Sequence, residues 1–126
     1  KLQERYTGKE VVWLTVNSSA RGKQGFFEGD SLQRQLREEK IASTAYLLDT
    51  DGRVGREYGA KTTPHMYVIS PDGTLIYAGA IDDKPSTRQS HIAVADNYVE
   101  KALNNAMSGN PVPVKATAPY GCSVKY

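Results

Sequence analysis

The run Gly59–Ala60–Lys61–Thr62–Thr63–Pro64–His65–Met66–Tyr67–Val68–Ile69–Ser70 constrains the fold of this chain more than any other stretch. A short polar segment meets a proline, and a strand follows at once. His65–Ser70 is rich in β-branched and aromatic residues, the types that suit a pleated, half-buried surface. Proline lacks a backbone donor, so it belongs at the entrance of a strand and not inside it. Thr63, directly before it, is driven towards extended geometry. Ser70–Pro71–Asp72–Gly73 has Pro second and Gly fourth, the pattern of a type I turn. Leu75–Ala80 is a second apolar run, so the pair reads as an antiparallel hairpin.

The remaining chain supplies strands and helices in alternation. Lys1–Tyr6 reads as the end of a helix, stopped by Gly8. Val11–Val16 is almost continuously apolar and reads as a strand buried on both faces, as in a parallel sheet, with Trp13 packed in its middle. Asn17–Gly25 is a loop, and its Asn17–Ser18–Ser19 sequon at a strand end is a weak glycosylation signal. Asp30 is expected to cap a helix carrying Leu32 and Leu36, with Gln33 three residues on. Ala45–Leu48 reads as a short strand. Val54–Tyr58 reads as one or two helical turns, stopped by Gly59. A long helix is expected over about His91–Met107, with Ile92, Ala95, Tyr98, Val99, Ala102, Leu103 and Ala106 on one face. Val112–Tyr126 shows no periodicity and reads as an extended tail. The expected division is thus a domain over 1–111 and a tail over 112–126.

Strands connected through helices are parallel neighbours, and the final pair is antiparallel, which defines an α/β chain with a mixed sheet. Its 126 residues suffice for a core. A net charge of +2, without a basic block, argues against nucleic acid or an acidic membrane surface as partner. No apolar run reaches the length of a membrane span. The single cysteine, Cys122, excludes a disulfide within these residues. The chain starts with Lys1 and not Met, so a processed or truncated start is expected, which leaves the compartment open.

Several apparent motifs fail on their own spacing. Asp49–Thr50–Asp51–Gly52 starts like a calcium loop, but Val54 stands where that loop needs Gly and Ala60 where it needs Glu. It reads as a polar turn. His65 and His91 lack a third ligand, so no metal site is expected. Asp82–Asp83 and Arg21–Lys23 read as solvated loops. His65 reads as a strand-entry side chain facing solvent, in preference to an acid–base group. The tyrosines at strand or helix spacing read as mostly core.

The segments Val11–Asn17, Tyr46–Asp49, Gly59–His65 and Tyr77–Asp83 together resemble the redoxin branch of the thioredoxin fold, the AhpC/TSA peroxiredoxin-like and TlpA-like proteins. The ending Pro119–Tyr126 is similar to tails of a bacterial subgroup of the same branch. The resemblance implies a thioredoxin-like three-layer fold with parallel strands plus a C-terminal antiparallel hairpin. It implies a cis Thr63–Pro64 bond, where the residues alone leave the ordinary trans form open. It places the central first strand and the nucleophilic cysteine before Lys1, so the natural protein is expected to be longer.

The function implied is thiol-dependent redox chemistry in the intact protein, either peroxide reduction or thiol–disulfide exchange, with no cofactor. These residues alone should be inactive. A thiolate attacks the peroxide or disulfide, and a helix N-terminus lowers the pKa of such a thiol. Thr63 and Pro64 would line the substrate site, Thr63 pairing through its backbone with an extended substrate. Cys122 has two readings, a small buried hydrophobe or an accessible thiol that serves as the resolving cysteine. Expected partners are a peroxide or disulfide, a reductant such as a thioredoxin, and a second copy in a homodimer. Exported relatives point to the bacterial envelope. The alternative function is a redox-inactive thioredoxin-fold module that holds an extended peptide at the Pro64 loop.

Overall fold

The computed structural model describes residues Leu2–Lys84 and Ala95–Tyr126. The chain is mixed α/β, with one small parallel and two small antiparallel sheets among the described residues. It falls into two compact units, Lys1–Ala60 with Val124–Tyr126, and Lys61–Ser123. That division differs from the one expected at Pro111. No helix among the described residues is long and apolar enough to cross a membrane.

The first unit opens with α1 (Leu2–Thr7), where Tyr6 is buried. β1 (Leu14–Asn17) pairs in parallel with β2 (Ala45–Leu48), Leu14 opposite Ala45 and Asn17 opposite Leu48. The expected strand Val11–Val16 is therefore shifted along the chain, and Trp13 precedes the ladder. Nor is β1 buried on both faces. Leu14 is 53% and Val16 41% exposed, and Leu47 and Leu48 are also exposed. Among the described residues β1 and β2 pair only with each other, and a two-stranded pair buries little surface of its own.

α2 (Gly29–Glu38) follows the loop after β1, and none of its residues is fully buried. Its N-cap is Glu28 and not Asp30, which lies in the first turn. Ser31 Oγ accepts from the Glu28 N–H at 3.3 Å and donates to the Glu28 carbonyl at 2.7 Å. α3 (Arg53–Tyr58) ends at Gly59, whose φ of +70° is the left-handed conformation that favours glycine at a helix end.

In the second unit, β3 (Thr62–Thr63) is followed by β4 (Met66–Ile69) and β5 (Leu75–Gly79). β4 and β5 form the expected hairpin, Met66 opposite Gly79 and Val68 opposite Tyr77. The Gly73 N–H donates to the Ser70 carbonyl at 2.9 Å, closing the turn that the Ser-Pro-Asp-Gly pattern predicts. A register shift falls between Val68 and Ile69.

α4 (Tyr98–Met107) buries Val99, Ala102 and Leu103 and packs on β4 and β5. These three residues stood on the expected apolar face. The helix does not extend back to Ala95, because Asn97 caps it, its Oδ1 accepting from the Glu100 N–H at 2.8 Å. Asn followed three residues later by Glu is a helix-start signature that outcompetes the apolar periodicity upstream. Ile92, also assigned to that face, lies outside the described residues.

The tail is extended, as expected, but it is built into the folded structure. Val112 is buried, Ala116 forms a parallel bridge with Ala78, and β6 (Cys122–Ser123) pairs with β3. Gly79 (φ +148°) admits this tail, since a Cβ there would collide with the Thr117 backbone. Among the described residues β1–β2, β3–β6 and β4–β5 are three separate two-stranded sheets.

Candidate functional site at the Pro64 loop

The Thr63–Pro64 peptide bond is cis, the form the resemblance implied. Thr62 Oγ1 donates to the Pro64 carbonyl at 2.7 Å and so braces the loop from within. Thr63 and Pro64 are both exposed. Pro64 offers no donor, so pairing at this loop falls to Thr62 and Thr63.

That pairing edge is occupied. β6 runs antiparallel to β3, with Ser123 opposite Thr62 and Cys122 opposite Thr63. Thr63 was expected to meet an extended substrate through its backbone; the chain's own C-terminal segment stands there instead. The approach is close. A Cβ on Gly121 would collide with the Thr63 carbonyl oxygen, and the φ of +132° at Gly121 lies in a region that side chains disfavour. Cys122 is exposed and free, which settles its burial in favour of the accessible thiol.

Two side chains outside the sequence-based set hold this segment. The Tyr120 hydroxyl donates to Asp82 Oδ1, and the same oxygen accepts from the Lys84 N–H at 2.9 Å. Asp82 is buried, so it is not the solvated loop residue the sequence suggested. Burial pushes the Tyr120 phenol up, and its bond to the Asp82 carboxylate adds to the shift. The phenol therefore keeps its proton and acts as a donor. Tyr120, Asp82, Tyr98 and Thr117 also line an open cavity of about 360 Å³. Asp82 and Tyr120 are 38 residues apart, and no local pattern links them.

His65 is half-buried and does not simply face solvent. Its ring stacks on Tyr67 with centroids 4.7 Å apart, and Nδ1 accepts from the Lys61 N–H at 3.2 Å. An accepting Nδ1 requires the neutral ring with its proton on Nε2. Burial lowers the pKa of His65, and the nearby Lys61 charge lowers it further.

In the first unit, the Asp49 carboxylate is committed to structure. It accepts from Ser18 Oγ at 2.6 Å and from the N–H groups of Val54 and Gly55 at 3.1 and 2.8 Å. The polar turn expected at Asp49–Gly52 is therefore a turn with a buried anchor, and its carboxylate is saturated with donors. Arg21 is paired with Glu28 at 2.5 Å and stacks over Phe26. Asn17 donates both amide hydrogens, to the Gly25 carbonyl and the Tyr46 hydroxyl, which leaves its sequon nitrogen engaged. Tyr6 and Tyr77 are core residues as expected, whereas Tyr58 is 48% exposed.

No family model matches the sequence, and no curated protein matches it. Among the solved structures similar to it are two bacterial proteins. An uncharacterized conserved protein from Geobacillus kaustophilus is 25% identical, with a TM-score of 0.84, over 99% of this chain and 65% of that one. A hypothetical protein from Sinorhizobium meliloti 1021 is 20% identical, with a TM-score of 0.78, over 99% of this chain and 67% of that one. The chain thus shares its α/β fold with both and spans about two thirds of the length of each.

Proposed function

We propose that the chain is part of a redoxin-type, thioredoxin-like protein whose intact form carries out thiol-dependent peroxide reduction or thiol–disulfide exchange. The observation that carries this reading is the register of Cys122 opposite Thr63, which sets an accessible thiol beside the Pro64 loop. The order of elements supports it, with a parallel pair first, then the proline, the antiparallel hairpin and a helix packed on it.

In this reading Cys122 is the resolving cysteine. A thiolate from outside these residues attacks the terminal oxygen of a peroxide, the O–O bond breaks, and a sulfenic acid forms as water or an alcohol leaves. The Cys122 thiolate then attacks the sulfenic sulfur, an S–S bond forms, and water leaves. A reductant such as a thioredoxin supplies two electrons and two protons to restore both thiols. The nucleophile comes from the intact protein or from a second copy in a homodimer. Treating the full-length gene product with one equivalent of hydrogen peroxide should yield a disulfide-linked peptide containing Cys122 on a non-reducing map. A map with Cys122 present only as free thiol overturns the assignment.

One observation favours a second reading, a redox-inactive module that holds an extended peptide at the Pro64 loop. β3 pairs with an extended segment of the chain's own, and this backbone pairing is the kind that such a module would offer a peptide. Turnover of hydrogen peroxide or of a disulfide substrate by the full-length product with a thiol reductant separates the two, since a binding module turns over neither.

A further inference from the structure

We propose that Tyr120–Ser123 is a strap that fills the peptide-pairing edge of β3 and competes for it with an extended polypeptide. The inference rests on the reading of that edge as a peptide site and adds its regulation.

The strap has three parts. Cys122 and Ser123 form the rung against Thr63 and Thr62. Gly121 is the hinge, the residue whose lack of a side chain lets the strap reach the Thr63 carbonyl. Tyr120 is the latch, its hydroxyl given to the buried carboxylate of Asp82. The rung is short, two residues against two, and both Cys122 and Ser123 are exposed. So short a ladder, with little buried apolar surface of its own, sits at the low end of local stability and can open without global unfolding. When it opens, Thr62 and Thr63 expose unpaired backbone groups that an incoming strand would satisfy. The incoming partner is an extended peptide with a small residue facing the Thr63 carbonyl, as Gly121 does now.

The test uses the full chain under reducing conditions and a fluorescent peptide copying Ala118–Lys125. Gly121→Val removes the hinge, and Tyr120→Phe removes the latch without touching the rung. Both variants should bind the peptide about tenfold more tightly than the parent chain, the binding gained when a competing internal segment is weakened by one hydrogen bond to a charged group. Amide exchange at β3 and β6 should rise in both. Equal affinity in all three proteins overturns the strap but leaves the β3 edge as a peptide site. Faster exchange in the variants with no peptide bound by any protein overturns the peptide site and the strap with it. Unchanged exchange in both variants also overturns the strap. Tyr120→Phe keeps the test decisive if Gly121→Val does not fold.

Discussion

The Ser18 hydroxyl donates to Asp49 Oδ2 at 2.6 Å, and both residues are buried. Desolvation is the largest influence on Asp49 and acts to raise its pKa. The Ser18 hydroxyl and the Gly55 and Val54 N–H groups outweigh it, and the net shift is downward. A carboxylate with a depressed folded pKa stabilises the protein at pH values above its unfolded pKa, and that stabilisation disappears as pH falls through the folded value. Unfolding by urea should therefore show stability declining below about pH 4, and Asp49→Asn should flatten that decline. Asp49→Ala strands buried donors and should cost roughly 3 kcal/mol at neutral pH. A loss under about 0.5 kcal/mol would contradict the anchoring role.

His65 should titrate below its ordinary value of 6.5, since burial and Lys61 both disfavour its charged form. Its sign is that of a depressed group. The contribution to stability is complete above pH 6.5 and is lost as pH falls through the folded pKa. The ring resonances of His65, followed by NMR and assigned with His65→Gln, check this. An apparent pKa above 6.5 would contradict the neutral, Nδ1-accepting ring.

The close approach at Gly79 should make it intolerant of any side chain. Gly79→Ala places a Cβ against Thr117 at a φ of +148°. The tail must then shift, or β5 must, and a loss of about 1–3 kcal/mol is expected from strain and overpacking. Gly73→Ala is the contrast, at a left-handed turn position with open space around it. It should cost about 1 kcal/mol, from backbone conformation alone. Urea midpoints of the two variants decide the comparison, and equal losses would contradict the tail contact.

Tyr77 is fully buried, with its hydroxyl 2.5 Å from the Ala80 carbonyl and 2.6 Å from Thr117 Oγ1. Tyr77→Phe should cost about 1–2 kcal/mol by leaving those buried partners short of a bond. Leu103→Ala, in the face of α4 that packs on the hairpin, should cost about 2–5 kcal/mol through transfer and cavity terms. Thermal or urea unfolding measures both, and a Leu103→Ala loss below 1 kcal/mol would argue that α4 is not part of the core.

Much of the local chemistry was legible where it acted over a few residues. The Ser70–Gly73 turn, the hairpin, the Gly59 helix stop and the buried face of α4 all follow from spacing and residue type. Two differences from those expectations have separate causes. Val11–Val16 is apolar enough for a two-faced buried strand, but burial depends on what lies over the strand, and among the described residues β1 pairs only with β2. The Asp30 cap lost to Glu28 because Ser31 supplies the reciprocal hydrogen bond.

From the order of its residues alone, this chain committed itself to short α and β elements, a proline-entered hairpin and one exposed-capable thiol near its end. Only the folded arrangement decided that Cys122 faces Thr63, that Asp82 is buried beneath Tyr120, and that the Asp49 turn is an anchor. Those pairs are separated by tens of residues. Turn and cap preferences reach three or four positions along the backbone, whereas contacts across a ladder or onto a buried carboxylate arise only once distant segments pack.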